Sequence, residues 1–345
     1  MALYLGLLVF SFIVNAVLII PFINLLYKLR FTRRVEAPKK GKIPVFDRLH
    51  DKKAGTPVGG GILIVATVSI LFALIFPLAR YLGVYIRGAY DVTSEINIVF
   101  FTFLSFAFLG LYDDFSKLFH KMEPGEVGMW VGLRRKHKFI LQWILALIIS
   151  FLIYNNLSVD IVNLPLVDIV IDLNWLYIPF AAFVIVSFVN AVNITDGLDG
   201  LVSGLLLICL FAFWIITASV FDTPLSIFIS LWIGALIAFL YFNIWPARVM
   251  MGDSGALAFG ATLAVIGLLT GKIFVLVVVG GLFVIEVLSS AIQIASRKLL
   301  GRSLLPIAPV HLFFQIKGWE EPKIVMRAWL AGLMLAIFGL WLALI

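Results

Sequence analysis

Charged side chains are what this 345-residue chain has least of. They make up 13% of it, against about a quarter in an average soluble domain, and hydrophobic residues make up 63%. A mean hydropathy of +1.12 excludes a soluble globular fold. Cysteine is almost missing as well. Cys209 stands alone in an apolar run, which rules out a disulfide framework and a cysteine metal site. Nothing in the pattern asks for a nucleic-acid partner.

What is present is long apolar segments. About 20 residues of helix span a bilayer, and ten such segments fall near 2–27, 58–79, 96–112, 139–159, 173–190, 200–221, 223–243, 254–271, 273–296 and 328–345. The first lacks a preceding basic region and a small-residue cleavage site, so it reads as a membrane helix and not a signal peptide. The odd-numbered loops between these segments hold 23 of the 26 Lys and Arg, leaving only Arg80, Arg87 and Lys272 for the even ones. The positive-inside rule then puts the odd loops in the cytoplasm and both termini outside it. The expected fold is therefore an all-α polytopic membrane protein of about ten transmembrane helices, one domain over 1–345. Alternation in 159–172 predicts a short external β-hairpin between helices four and five. Gly280-Gly281 and Glu286 interrupt the ninth segment and predict a bend or break there.

Polar residues beside hydrocarbon are costly unless they face a site, and they gather in a few islands. The basic run Lys28–Lys53 ends in Lys53-Ala-Gly-Thr56-Pro-Val58 and then three Gly, a turn expected to leave backbone N–H groups for an anion. The third segment ends in Gly110-Leu-Tyr-Asp113-Asp114. Paired carboxylates at the negative end of a helix dipole are unfavourable without a cation or a proton-transfer task. The cluster Gly132–Lys138 follows, as water-facing charge or as a phosphate contact. Next comes Asn190-Ala-Val-Asn193-Ile-Thr-Asp196-Gly197-Leu-Asp199. A helical turn would put each of its two pairs, spaced by three, on one face. A helix cap would need one such residue, not four. Asn243 closes the seventh segment, and Met250-Met-Gly-Asp253-Ser-Gly opens the eighth, where Asp253 is either an N-cap or a metal ligand. His311 and an amphipathic Leu312–Ile316 lie in the last loop, and Glu286 could pair with a neighbouring helix.

Five Asp from three cytoplasmic loops, with Lys and Arg around them, select a hard cation through oxygen ligands, most simply Mg²⁺. Carboxylates, such a cation and ammonium groups suit phosphoryl chemistry between a lipid phosphate and a soluble activated donor.

At these same motifs, together with Pro309-Val-His311 and Lys317-Gly-Trp319, the chain resembles the polyprenyl-phosphate N-acetylhexosamine-1-phosphate transferases, over nearly its whole length. The Gly-Trp-Glu-Glu-Pro-Lys323 tail and the single Pro-Val-His resemble the branch that handles phospho-MurNAc-pentapeptide. The resemblance implies a ten-helix, usually dimeric enzyme of the bacterial cytoplasmic membrane with a Mg²⁺-dependent cytoplasmic site. It implies transfer from UDP-MurNAc-pentapeptide to undecaprenyl phosphate, among membrane lipids, giving lipid I and UMP. Carried over by motif, Asp253 would be the metal ligand, and Asp113, Asp114, Asp253 and His311 would serve catalysis. Lys53, Thr56, Lys138, Asn190, Asn193, Asp196, Gly197, Asp199, Asn243 and Met250 would line the substrates.

Four positions depart from the family pattern. His311-Leu312-Phe313 stands for three consecutive His, Met250 for an aromatic, Val58 for a second Thr, and Ala256 for Ser. None touches the five Asp. A GlcNAc-1-phosphate transferase for another envelope polymer is the alternative within the class. An ion-coupled transporter or flippase is the alternative outside it, but it calls for charges at mid-span.

Overall fold

The computed structural model describes residues 1–33, 53–119, 135–164 and 169–345. The basic run over 34–52, the Gly132–Arg134 part of the second cluster and Asp168 lie outside the described residues. The chain is helical almost throughout: α1 Ala2–Lys28, α2 Gly60–Tyr81, α3 Val92–Phe119, α4 Arg135–Leu157, α5 Tyr177–Thr195, α6 Leu201–Ser219, α7 Thr223–Asn243, α8 Asp253–Leu269, α9 Ile273–Val279, α10 Gly281–Leu299, α11 Val310–Ile316 and α12 Glu321–Leu344. Two strands, β1 Ile161–Leu164 and β2 Ile169–Asp172, pair antiparallel between α4 and α5, where the alternation placed a hairpin.

The ten expected spans are met in part. Among the described residues, eight helices are long and apolar enough to cross a membrane, or nine if α9 and α10 count as one bent span. α9 and α10 meet at 81° at the Gly280-Gly281 break, as those glycines predict. The remaining expected span, α8, has only 17 residues.

α8 is nevertheless the axis of the molecule. It is apolar all round, the mark of a helix enclosed by others, and every residue from Ser254 to Leu269 is buried. Lipid tails are as apolar as side chains, so helices in a membrane are held by close backbone approach and interhelical hydrogen bonds. A Cβ on Gly61 would stand 2.3 Å from the Gly255 Cα, and one on Gly110 2.2 Å from the Asp253 carbonyl oxygen. α2 and α3 therefore clamp the first turn of α8. Deeper in, Phe103, Phe228, Trp232 and Phe259 form one aromatic cluster, with Phe103–Phe228 and Trp232–Phe259 centroids 5.3 and 5.1 Å apart. The Asn15 carbonyl accepts from the Thr67 hydroxyl at 2.8 Å, tying α1 to α2. The outer helices α1 and α12 keep most of their apolar surface exposed.

Candidate active site

The site is assembled around the start of α8. The segment leading into it runs parallel to the glycine-rich turn before α2, bridged at Val58 and Met250. Met250 N donates to the Pro57 carbonyl at 2.8 Å, and Gly60 N and Gly61 N donate to the Met250 and Met251 carbonyls, both at 2.9 Å. The expectation that this turn leaves its N–H groups for an anion is thus corrected for Gly60 and Gly61. Backbone pairing consumes them, because three glycines let two chain segments close on each other. Gly252, with φ 81°, makes the turn into the helix.

A helix begins with unsatisfied N–H groups. Here a side chain from another helix takes two of them: the Asp114 carboxylate accepts from Asp253 N at 3.1 Å and Ser254 N at 3.0 Å. Asp253 is accordingly not the cap; Gly252 occupies that place and Asp253 is the first helical residue. α3 continues past the Asp pair to Phe119, so both carboxylates project from a continuous helix and not from its end.

This arrangement turns the Asp253 carboxylate towards two ammonium groups. Its Oδ2 lies 2.6 Å from Lys117 Nζ and 2.7 Å from Lys138 Nζ. Asp113 Oδ2 meets the same two lysines at 3.2 and 3.0 Å. On its other side, Asp253 Oδ1 accepts from the Asn193 amide at 2.9 Å. Asp113 is 3% exposed and Asp114 4%, whereas the Lys117 side chain keeps 38%, so the two carboxylates are buried and the cluster opens to the outside at Lys117. Lys117, four residues after Asp113, is a site residue that the motifs do not single out; its i,i+4 spacing is the signal that could have found it.

The Asn190–Asp199 stretch does not act as one helical face. α5 ends at Thr195, and Asp196, with ψ 48°, turns the chain out of the helix. Asn190 reaches the Gln142 amide oxygen at 2.9 Å, whereas Asn193 turns to Asp253. Asp199 accepts from Ala247 N at 2.9 Å through Oδ2 and meets Lys53 Nζ at 2.7 Å through Oδ1. Lys53 also donates to the Gly197 carbonyl at 3.2 Å and pairs with Glu321. The half-buried Asp196 carboxyl is pushed up to about 7, by burial first and then by the Asp253 charge, against Lys53 and Arg33.

His311 stacks its ring edge over Gly197, where a Cβ would come within 2.6 Å of Nε2. Its Nδ1 is 3.2 Å from Glu286 Oε2, and its backbone N donates to Glu286 Oε1 at 3.1 Å. Glu286 therefore finds its neighbouring partner in His311. It fixes the imidazole so that Nε2 points at the Gly197 turn.

Three expected lining residues have other contacts, Thr56 through its backbone alone. The Asn243 amide donates to the Val249 carbonyl at 2.9 Å and its oxygen accepts from Ser203, so this buried side chain shapes the loop before α8. Met250 is buried with Arg33 Nη1 4.0 Å from its sulfur. Thr56 gives its carbonyl to Arg33 N at 2.9 Å and stays half-buried at the rim. Glu321, in the Gly-Trp-Glu-Glu-Pro tail, was not expected at the site; only the acidic pair preceding Pro322 hinted at it.

Among the described residues, no three His, Cys, Asp or Glu side chains group so as to hold a metal on their own. The oxygen donors do suit Mg²⁺, which commonly takes one or two carboxylates and completes its shell with water and substrate phosphates. Asp113 and Asp253 offer two carboxylates facing the same point, marked by the ammonium groups of Lys117 and Lys138.

Known proteins match the chain over most of its length. The family model described as glycosyl transferase family 4 matches residues 96–271, a segment that contains Asp113, Asp114, Asn190–Asp199 and Asp253. The chain is 33% identical over 336 residues to a phospho-N-acetylmuramoyl-pentapeptide-transferase of Bacillus pumilus, covering 97% of this chain and 96% of that protein. It is 35% identical over 329 residues to the protein of the same name from Bacillus subtilis, covering 94% and 92%. It is 36% identical over 319 residues to that of Caldanaerobacter subterraneus, covering 92% and 91%.

Proposed function

The chain belongs to glycosyl transferase family 4 and, within it, to the phospho-N-acetylmuramoyl-pentapeptide transferases, and from that premise we propose its reaction in detail. It transfers phospho-MurNAc-pentapeptide from the UDP-linked donor to undecaprenyl phosphate, with Mg²⁺, at the cytoplasmic face of the bacterial cytoplasmic membrane, as a homodimer. The observation that carries this reading is the cluster of Asp113 and Asp253 around Lys117 and Lys138, adjoining Asn193.

Phosphoryl transfer asks a protein mainly to position charge. A lipid phosphate oxygen attacks the sugar-linked phosphorus of the donor diphosphate. One P–O bond forms there, the bond from that phosphorus to the bridging oxygen breaks, and UMP departs, giving lipid I. Asp113 takes the proton that remains on the lipid phosphate. Lys117 and Lys138 neutralise the phosphate oxygens as charge moves towards UMP. Asp253 and Asp113 would hold the divalent cation, which would supply Lewis-acid screening of the phosphoryl charge. Asp114 does no chemistry in this scheme, since both its oxygens fix the turn that aims Asp253. Asn193, Asp196, Asp199 and His311 frame the nucleotide end, with Gly197 allowing close approach.

The direct test is UMP release by the detergent-solubilised full chain with Mg²⁺ and undecaprenyl phosphate, offering UDP-MurNAc-pentapeptide and UDP-GlcNAc separately. Release with the pentapeptide donor alone, with radiolabelled lipid product, is the expected result. Release with UDP-GlcNAc alone would move the chain to the other branch of the class.

A further inference from the structure

A separate pair of acids lies at the end of the molecule remote from Asp253. Glu95 is on the first turn of α3, about five turns, or roughly 27 Å, before Asp113. It is fully buried, and among the described residues no N–H or hydroxyl group donates to either of its carboxyl oxygens. What it meets is Asp222, itself 2% exposed, in the turn between α6 and α7, with the two side chains in hydrogen-bond contact. A methyl group at Gly88 would come 2.9 Å from Glu95 Oε2, so the loop before α3 closes over the acid. Beside it is a cavity of about 10 Å³ walled by rings such as Phe72, Phe100 and Phe228. That is the lower limit for one water, and a buried water needs two to four polar partners.

No Lys or Arg among the described residues pairs with either carboxyl. The residues that bracket the basic run 34–52, Arg33 and Lys53, contact Met250 and Asp199 at the other end of the molecule. Two facing carboxyl groups away from water and without a cation cannot both be ionised. Asp222 is the one equipped to keep its charge. Its Oδ1 accepts from Leu225 N at 3.2 Å, capping α7 at the positive end of the helix dipole. Burial raises its carboxyl, and hydrogen bonds from Glu95, Leu225 and Ala89 draw it back down. The other titratable group facing the pair is the Tyr90 phenol, raised by burial and then by Glu95 and Asp222, and so neutral. The Tyr177 hydroxyl of α5 is buried without a partner among the described residues. Arg87 is exposed and meets Thr223 through its backbone, and the exposed Asp91 turns to Ser94 N.

We propose that Glu95 and Asp222 share one proton, carried by Glu95 and donated to the Asp222 carboxylate, as a pH-sensitive latch between the remote ends of α3 and α7. Loss of that proton to solvent leaves two carboxylates in contact where water cannot reach them, so the loop and the two helix starts must part to hydrate them. The latch is complete while Glu95 is protonated and is lost as pH rises. It also steadies a rod that runs unbroken to Asp113 and Asp114.

Infrared difference spectra of the solubilised, substrate-free full chain test this. Native minus Glu95→Gln should show the carbonyl band of a neutral carboxylic acid, moving to lower frequency in heavy water. Asp222→Asn, which still caps α7, should keep that band and shift it to higher frequency, since an amide oxygen is a weaker acceptor than a carboxylate. Glu95→Gln keeps a neutral donor towards Asp222. Its Tm relative to the native chain should therefore be higher at about pH 9 than at about pH 6, by at least about 2 °C. Comparing variant with native cancels the Asp196 contribution, which both share. Absence of an acid band that Glu95→Gln removes, or an unshifted band in Asp222→Asn, overturns the shared proton. An equal Tm difference at both pH values overturns the latch. Mg²⁺ or Ca²⁺ raising the native Tm but not that of Glu95→Gln would give the site to a metal and overturn the proposal as well.

Discussion

Asp253 shows how much of a residue's role lies in its surroundings. Its carboxylate meets Asn193, Lys117 and Lys138 together, and an amide of the same shape cannot balance two ammonium groups. Asp253→Asn is expected to lower UMP release by at least about a hundredfold, the scale of losing one charge-stabilising group. The variant should stay folded by gel filtration, since Asp114 still caps α8. Undiminished turnover would remove Asp253 from the metal assignment. Asp196 makes a pH prediction. Its carboxyl is raised to about 7 from 3.8, so it ionises in the folded protein only at a cost. That cost is absent below the unfolded value, grows as pH rises, and is complete above about 7. Asp196→Asn should therefore raise the Tm of the substrate-free protein more at pH 8 than at pH 5, and an equal shift at both would contradict the burial argument. The residue types and their islands were legible in the sequence because charge is rare in this chain. The pairings were not. Leu312 reads as a missing histidine by motif, yet it is buried at 2% exposure and packs in the core, so its neighbour His311 carries the contact alone.

At the scale of elements, the Asp113, Asp114 and Asp253 carboxylates are placed by glycine contacts between helices. Gly110 lets α3 lie against the first turn of α8, and a methyl group there would meet the Asp253 carbonyl oxygen, which is backbone and cannot rotate away. Gly110→Ala should separate α3 from α8, lengthening the Asp114 cap and drawing Asp113 away from Asp253. The expected result is a loss of about 1–3 kcal/mol of stability, the usual cost of overpacking, read as a lower Tm in detergent, with a fall in kcat larger than the change in KM. Gly→Ala with unchanged Tm would mean that the helices have slack at this point. The sequence displayed Gly110 next to the Asp pair, but its partner is 143 positions further along, and spacing carries no information about such a contact. Local signals fared better. The hairpin alternation and the Gly280-Gly281 break both act within one segment, and both elements appear where the pattern put them.

The number of crossings is a property of the whole molecule, and it decides where the termini lie. An odd number would put them on opposite sides and an even number on the same side. Among the described residues, eight helices are long and apolar enough to span, nine if the bent pair is one span, and α8 is the element that would change the parity. Its 17 residues give about 25 Å of helix, against a hydrocarbon core of about 30 Å. A helix facing lipid would be short for that. α8 faces protein on every side, so its ends need only reach depths at which neighbouring helices supply polar partners, as Asp114 does. Charge gives a second argument. The two ends of α8 differ in charge: Lys117 and Lys138 meet Asp253 at its start, while Lys272 follows its end and binds the Ala343 carbonyl at 3.1 Å, near the C-terminus. The expectation from the loop charges, ten crossings with both termini outside the cytoplasm, would keep these groups on separate faces. Cys209 is buried, so a single introduced cysteine reports cleanly. Leu3→Cys and Leu344→Cys should both react with a membrane-impermeant maleimide in intact cells, and Arg248→Cys only after the cells are opened. Protection of one terminus and not the other would make α8 a re-entrant core helix and leave nine crossings.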